Sequence, residues 1–364
     1  MAHGAGQGGQ AGADPADRHR PVPAGRHSPT TGYRFEANAD YFAGKPQVRE
    51  LRMPIIKDPT ATFTALRSGE IDAADRPLPP ELVDQFSRDY QIKVIKTSAL
   101  RFPELVLNFD RAPFDRPRPR RALSLAINRQ QMLDVVALDK GRAATKGYPH
   151  PDAPFADPTL NTPYNPGEAR ALLDQLGFTD SGGDGVRDTP TGPMRFSIAV
   201  DGALPVDVRA AQLVEEDLRA VGIAAEVRPV DGGSLAALNT SRDFDLRLDT
   251  ITAHGVADPD QFVMSHRSGY LWRSPSLPYP AWDALFAQWK AAGTLQQRAP
   301  ILRQMQQLFN NQPTAIPLYY PDEYWAVRAG RYSGWVESPG YGIVHKWSLL
   351  PAQVGRQADA VVVR

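Results

Sequence analysis

The chain contains no cysteine among its 364 residues, which excludes disulfides, thiolate zinc sites and cysteine nucleophiles. Compartment stays open on this ground, because a cysteine-free chain fits an exported protein without cross-links and equally a reduced cytosolic one. Net charge is missing as well. Lysine plus arginine and aspartate plus glutamate number 41 each, which leaves no basic face for nucleic acid and no polybasic anchor for a membrane surface. No apolar run approaches bilayer-spanning length, and no basic patch followed by an apolar stretch marks an export signal at the amino terminus. The expected partner is a small molecule or another protein.

The common catalytic signatures are absent too. There is no Gly-x-Ser-x-Gly elbow, no phosphate-binding glycine loop ending in Lys-Ser or Lys-Thr, and no His-Glu-x-x-His helix. His254 and His266 lack a second histidine at ligand spacing and read as surface or supporting groups. Asp180, Asp184 and Asp188 around Gly182, Gly183 and Gly185 resemble a calcium loop but lack the distal glutamate that closes one, so a polar hairpin turn is the better reading. Glu215 and Glu216 fall on an exposed helix face. No cofactor, metal or catalytic residue is expected.

What is present is an α/β pattern. Residues 1–30 are rich in Gly, Ala, His, Arg and Pro with little to bury, and read as a disordered, non-native leader. Leu51, Met53 and Ile55 alternate with polar positions in a strand over 48–56, with Pro54 arguing for an edge. Asp58-Pro59 and Gly69 bracket a short helix over 59–68. A helix at 81–88, a strand at 92–96 and an exit strand at 104–109 follow. Ala122, Leu123, Ala126 and Ile127 mark one face of the next helix, and Asn128 is placed to cap a turn. The proline-rich stretch 149–166 reads as an extended loop on a surface, ending at a capping-box-like Asn165-Pro166-Gly167-Glu168.

Residues 194–230 alternate strand, helix and strand, which is a βαβ crossover and implies a sheet covered by helices. Phe244, Leu246 and Leu248 continue with period two. Two amphipathic helices carry Trp282, Leu285, Phe286 and Trp289, then Ile301, Leu302, Met305, Leu308 and Phe309, and both tryptophans read as core. A strand at 316–320 leads into an aromatic, glycine-rich segment over 322–350.

Several phrases, in this order, resemble the family 5 solute-binding proteins of ABC importers, which bind peptides, nickel complexes and some sugars. They are Asn38-Ala39-Asp40-Tyr41-Phe42-Ala43-Gly44-Lys45-Pro46, Ala65-Leu66-Arg67-Ser68-Gly69-Glu70-Ile71-Asp72, and Leu107-Asn108-Phe109 with Pro113-Phe114-Asp115 and Arg120-Arg121-Ala122-Leu123. Ala257-Asp258-Pro259-Asp260-Gln261-Phe262 and Ala315-Ile316-Pro317-Leu318-Tyr319-Tyr320 complete the set. The resemblance runs from about Gly32 to about Leu350.

It implies a periplasmic-binding-protein-like type II α/β fold, two lobes joined by two crossings at 105–109 and 318–320, with one complete lobe and part of a second. Residues 31–107 would form part of the amino-terminal lobe, 108–317 the carboxyl-terminal lobe, 318–352 the return segment and 353–364 a tail. A signal peptide and the first strands would be missing. Asn108, Thr252, Ala253, His254, Gly255, Asp258 and Tyr320 are the implied cleft contacts. One departure stands out: the family's ammonium-binding aspartate corresponds to Gly255, which cannot pair with a charged amine unless Asp258 or Asp249 substitutes.

The implied function is a non-catalytic, extracytoplasmic binder that passes a peptide or other small solute to an ABC permease and ATPase. It meets the membrane only through that complex. A cleft hydrolase, a truncated remnant and the sensor half of a regulator are the rival readings.

Overall fold

The computed structural model describes residues 27–28, 32–56, 58–251, 259–268 and 279–351. Most of the leader, the tail beyond 351, and the segments 252–258 and 269–278 lie outside the described residues. The chain divides into two compact units. The first takes the residues up to Thr97 and those from Tyr324, and the second is Ser98–Glu323.

The first unit opens with β1 (His27–Ser28), β2 (Gly32–Glu36) and β3 (Glu50–Pro54), paired antiparallel in that order. In α1 (Pro59–Ser68) the Asp58 carboxylate accepts the Thr60 N–H at 2.7 Å, and Gly69 closes the helix at φ 82°. That left-handed stop is open to glycine at no steric cost. After α2 (Pro80–Ser87) and β4 (Ile92–Ser98), the core gathers Phe63, Leu66, Leu78, Val83 and Phe86 with Ala326 from the returning chain.

The second unit runs β5 (Phe102–Leu107), α3 (Pro117–Ala126), α4 (Arg129–Val136), β6 (Gly141–Ala143) and α5 (Pro166–Gln175). The small hairpin β7 (Asp188–Thr189) and β8 (Gly192–Pro193) precedes β9 (Arg195–Asp201), α6 (Pro205–Arg219), β10 (Ala224–Val230), α7 (Gly232–Ser241) and β11 (Leu246–Ile251). Then come α8 (Asp260–Ser265), α9 (Pro280–Ala291), α10 (Leu295–Asn311) and β12 (Ala315–Pro317). The strand β13 (Tyr319–Arg328) carries the chain back to the first unit, where α11 (Lys346–Leu349) lies near its end.

Five strands form the main sheet in the order β10-β9-β11-β5-β12. β9 is parallel to β10 and β11, and β5 is antiparallel to β11 and β12. The pleat sorts the side chains. Leu105, Leu107, Ile198, Val200, Leu246, Leu248 and Ile316 meet α3 to α6 on one face, whereas Phe102, Val106 and Ala315 meet α8 to α10 on the other. Full burial of each large aliphatic side chain contributes about 2 kcal/mol.

Four differences from the sequence expectations have physical causes. The units join at Thr97–Ser98 and Glu323–Tyr324 rather than at 105–109 and 318–320, because β5 and β12 are bonded into the second unit's sheet. The strand expected at 316–320 is two strands: Ala315 to Pro317 pair with β5, while Tyr319 to Pro321 turn to pair with β6. The start of the segment read only as aromatic and glycine-rich, from 322, continues as strand to Arg328. Helix α7 has no buried residue, so its sequence lacks the apolar stripe that would reveal it; Asp231 starts it by accepting the Ser234 N–H at 3.0 Å.

Candidate functional site

The strands β9, β10, β11 and β12 all end at one edge of the main sheet, and antiparallel β5 begins there. Open α/β sheets place ligands outside the carboxyl ends of their parallel strands, where loops and helix starts converge. Register fixes the participants: Phe102 stands opposite Ile251, Asp249 opposite Glu104, and the Leu318 N–H reaches the Pro103 carbonyl at 3.0 Å. Strand β11 therefore ends at this edge.

The loop between β6 and α5 brings further side chains to it. Its prolines keep it extended, and it is stitched down by Thr162 N–H to the Thr145 carbonyl at 2.7 Å and Asp157 N–H to Gln306 Oε1 at 2.7 Å. The Gln306 amide returns a bond to the Phe155 carbonyl at 2.9 Å. This loop presents Tyr148 and His150. The Tyr320 ring stands edge-on to Phe102, centroids 5.3 Å apart, and to His150 at 4.9 Å, and its hydroxyl donates to the Gly147 carbonyl. Tyr148 meets Phe102 edge-on at 5.3 Å and stacks on Phe262 at 5.0 Å.

Charges surround these rings. Asp152 accepts bonds from Ser98 Oγ and Arg142 Nη2, each at 2.7 Å. Burial alone would raise its carboxyl, but those bonds, with the charge of Arg142, hold it below its ordinary value. Burial pushes the His150 imidazole down to about 4, against the opposing pull of Asp152. Arg101 pairs with Glu323, whose side chain is 6% exposed, and Arg247 pairs with Asp249 at 2.9 Å. In the first turn of α6, Asp207 is pushed up to about 6 by burial and then by Asp201 and Asp249.

The sequence-predicted contacts fare unequally. Tyr320 stands at this edge, buried, with its phenol pushed up by burial. Asn108 does not. It lies six residues beyond Phe102 along the extended chain, about 20 Å away. It is fully buried, with its amide donating to the carbonyls of Arg242 at 2.9 Å and Phe244 at 2.6 Å and its oxygen accepting the Asp110 N–H at 3.1 Å. It is a clasp at the opposite edge. Thr252, Ala253, His254, Gly255 and Asp258 lie outside the described residues. Asp249, the substitute considered for Gly255, is at the carboxyl edge.

His266 is a core histidine, 2% exposed, its Nδ1 bonded to the Phe262 carbonyl at 2.8 Å among the rings of Tyr148, Trp282 and Phe309. Trp282 and Trp289 are buried, with indole N–H groups on the Val263 carbonyl and Asp260. In the 180–188 turn, Asp180 accepts three backbone N–H groups and Asp184 bonds Arg195, which is the chemistry of a hairpin turn. Among the described residues no group of three or more acidic or histidine side chains is placed to hold a metal. Phe102, Tyr148, His150 and Asp152 were not singled out from sequence; a histidine and two aromatic residues in a proline-rich stretch were the only signal available.

Two α/β units linked twice by the chain, the larger built on an open sheet with a polar and aromatic carboxyl edge, have the type II periplasmic binding protein fold. The chain belongs to the bacterial extracellular solute-binding proteins, family 5, whose middle-region model matches residues 25–272. It is 29% identical over 311 residues to the di/tripeptide-binding protein 2 of Pseudomonas aeruginosa, covering 84% of this chain and 56% of that protein. It is 31% identical over 300 residues to the probable di/tripeptide-binding protein 5 of the same organism, covering 81% and 54%. The chain thus spans about half the length of the curated relatives it matches. In fold it is similar to NikA from Brucella suis in complex with Fe(III)-EDTA, with a TM-score of 0.77, 20% identity and coverage of 91% of this chain and 67% of that one. AppA from Bacillus subtilis in complex with a nonapeptide gives 0.73 at 21% identity, covering 90% and 65%.

Proposed function

We propose that this chain serves in the substrate-binding component of an ABC importer, taking a peptide or similar small solute at the carboxyl edge of the main sheet and passing it to a membrane permease. Energy for transport comes from the partner ATPase, and the solute leaves chemically unchanged. Such a component works outside the cytoplasmic membrane.

The observation that carries this reading is that β9, β10, β11 and β12 all end at one edge of the main sheet, in a chain that belongs to family 5. The relatives named for di- and tripeptides make peptides the first class to test. The polar groups at this edge hold one another: Asp152 holds Ser98 and Arg142, and the Tyr320 hydroxyl holds a backbone carbonyl. That arrangement favours gripping over bond cleavage.

Thermal-shift and calorimetric titrations of the full chain with di- and tripeptides, longer peptides, nickel chelates and oligosaccharides test the proposal. A peptide at 100 times its Kd should stabilise the protein by about 2.7 kcal/mol, and mass spectrometry should recover it intact. Cleaved peptide would favour a hydrolase. No shift with any class would mean a remnant without binding function.

A further inference from the structure

Two large apolar side chains stand in solvent at the carboxyl edge of the main sheet. The turn from β9 into α6, Asp201-Gly202-Ala203-Leu204-Pro205-Val206, leaves Leu204 49% exposed and Val206 40% exposed. Helix α6 takes its packing from elsewhere: Ala210, Leu213, Val214 and Leu218 are buried in the core of the second unit, and neither Leu204 nor Val206 joins it. Single exposed apolar residues are common on protein surfaces and need no explanation. These two lie two positions apart, on the edge where an open α/β sheet takes its ligand.

Fold stability does not account for Leu204. It is the N-cap of α6 and makes no side-chain bond to the first N–H groups of the helix. Serine, threonine, aspartate or asparagine in that place would accept one and strengthen the helix. Sequences break local rules of this kind chiefly at functional sites.

The pair is also held in place. The Gly202 N–H reaches the Val230 carbonyl at the end of β10 at 2.8 Å, and the Ala203 N–H reaches Asp201 Oδ1 at 2.9 Å. The Leu204 carbonyl accepts from the N–H groups of Asp207 at 3.0 Å and Val208 at 3.1 Å. A Cβ at position 202 would come within 3.2 Å of the Pro229 side chain, so the ends of β9 and β10 pack closely. An apolar surface fixed in this way loses little freedom when a ligand covers it, and more of the burial appears as affinity. Asp201 and Asp207 flank the two side chains, a setting that suits hydrocarbon and disfavours a carboxylate.

We propose that Leu204 and Val206 are solute-contacting residues that cover an apolar side chain of the bound peptide, so that a peptide carrying a large aliphatic residue is preferred to one carrying alanine. This inference rests on the peptide-binding reading above and names the kind of peptide the site selects.

The test compares tri-alanine with Leu-Ala-Ala, Ala-Leu-Ala and Ala-Ala-Leu by calorimetry on the full chain. Wild type should bind at least one leucine peptide about tenfold more tightly than tri-alanine, the lower end of what added hydrocarbon contributes at an apolar contact. Leu204→Ser and Val206→Ser should each reduce that preference, and the double variant should abolish it while keeping its affinity for tri-alanine within about twofold of wild type. Leu204→Ser should hold or raise the melting temperature, since serine caps the start of α6. In wild type, the methyl resonances of Leu204 and Val206 should shift on adding the preferred peptide, a readout that needs no variant to fold.

Wild type that binds tri-alanine and the leucine peptides equally would overturn this inference and leave the peptide-binding reading standing. So would a preference that survives in the double variant, or methyl resonances that stay still. A clear fall in the melting temperature of Leu204→Ser would make Leu204 a structural residue and overturn its assignment. Wild type that binds none of the four probes and no other peptide would overturn both readings.

Discussion

Phe102 and Ile251 stand opposite each other in the antiparallel ladder of β5 and β11. That single pairing brings the start of one strand and the end of another to the same edge of the sheet, beside Tyr320, Tyr148 and His150. The same ladder carries Asn108 away to the far edge, where its side chain closes the 242–244 backbone.

Replacing Asn108 with alanine should therefore destabilise the protein without weakening solute binding. The change strips buried partners from the carbonyls of Arg242 and Phe244 and from the Asp110 N–H, at a cost of about 2–4 kcal/mol. Urea unfolding should show the loss as a lower midpoint at unchanged slope. Calorimetry at a temperature where both proteins are folded should give the same Kd within about twofold. A selective loss of affinity would put Asn108 back among the contacts.

Stability should fall as pH drops from about 6.5 to about 4, in part because of His150. Its folded value is lowered to about 4 from an ordinary 6.5, so in this window the unfolded chain takes up a proton that the folded chain refuses. The contribution is present in full above 6.5 and lost by about 4. Its upper bound is about 3 kcal/mol. Comparing melting temperatures of wild type and His150→Gln across this range should show the variant with the shallower slope.

Asp207 works in the opposite sense. Its carboxyl is raised to about 6 from 3.8 by burial and by Asp201 and Asp249, so the folded chain holds the proton more tightly. That stabilisation is complete below 3.8 and lost as pH rises through 6. Asp207→Asn removes the ionisation and should stabilise the protein at pH 8 by about 1–2 kcal/mol once solvent screening is allowed for. At pH 4 the difference should largely vanish, and chemical denaturation at the two pH values measures it.

In the first unit, Asp58→Ala should cost about 1 kcal/mol, because it removes the side-chain acceptor for the Thr60 N–H at the start of α1. Asp58→Ser should recover most of the loss. Denaturation monitored by amide exchange across α1 reads the effect locally.

How much of this was legible beforehand follows from the range of each interaction. Helix α1 was readable to its ends because its signals are local: a carboxylate two residues from the N–H it accepts, a proline at the first turn and a glycine at the stop. The strands β9 and β10 with α6 between them were readable from the periodic spacing of their apolar residues. Helix α7 was not, because none of its residues is fully buried and it has no apolar stripe. The break between β12 and β13 was not, because it depends on two different partners, β5 and β6, that lie far away in the chain.

The sequence by itself determined the α/β class, the family and the bounds of α1 and α2, since those rest on residue types within a few positions of one another. It also carried the absence of thiol chemistry and of net charge. Only the tertiary structure decided which residues share an edge. Asn108 and Tyr320 both sit beside strands of one sheet, yet strand direction and register send the first to the amino edge and the second to the carboxyl edge. Register likewise sets Phe102 beside the loop that carries His150, and burial there, which no local pattern encodes, lowers the imidazole to about 4.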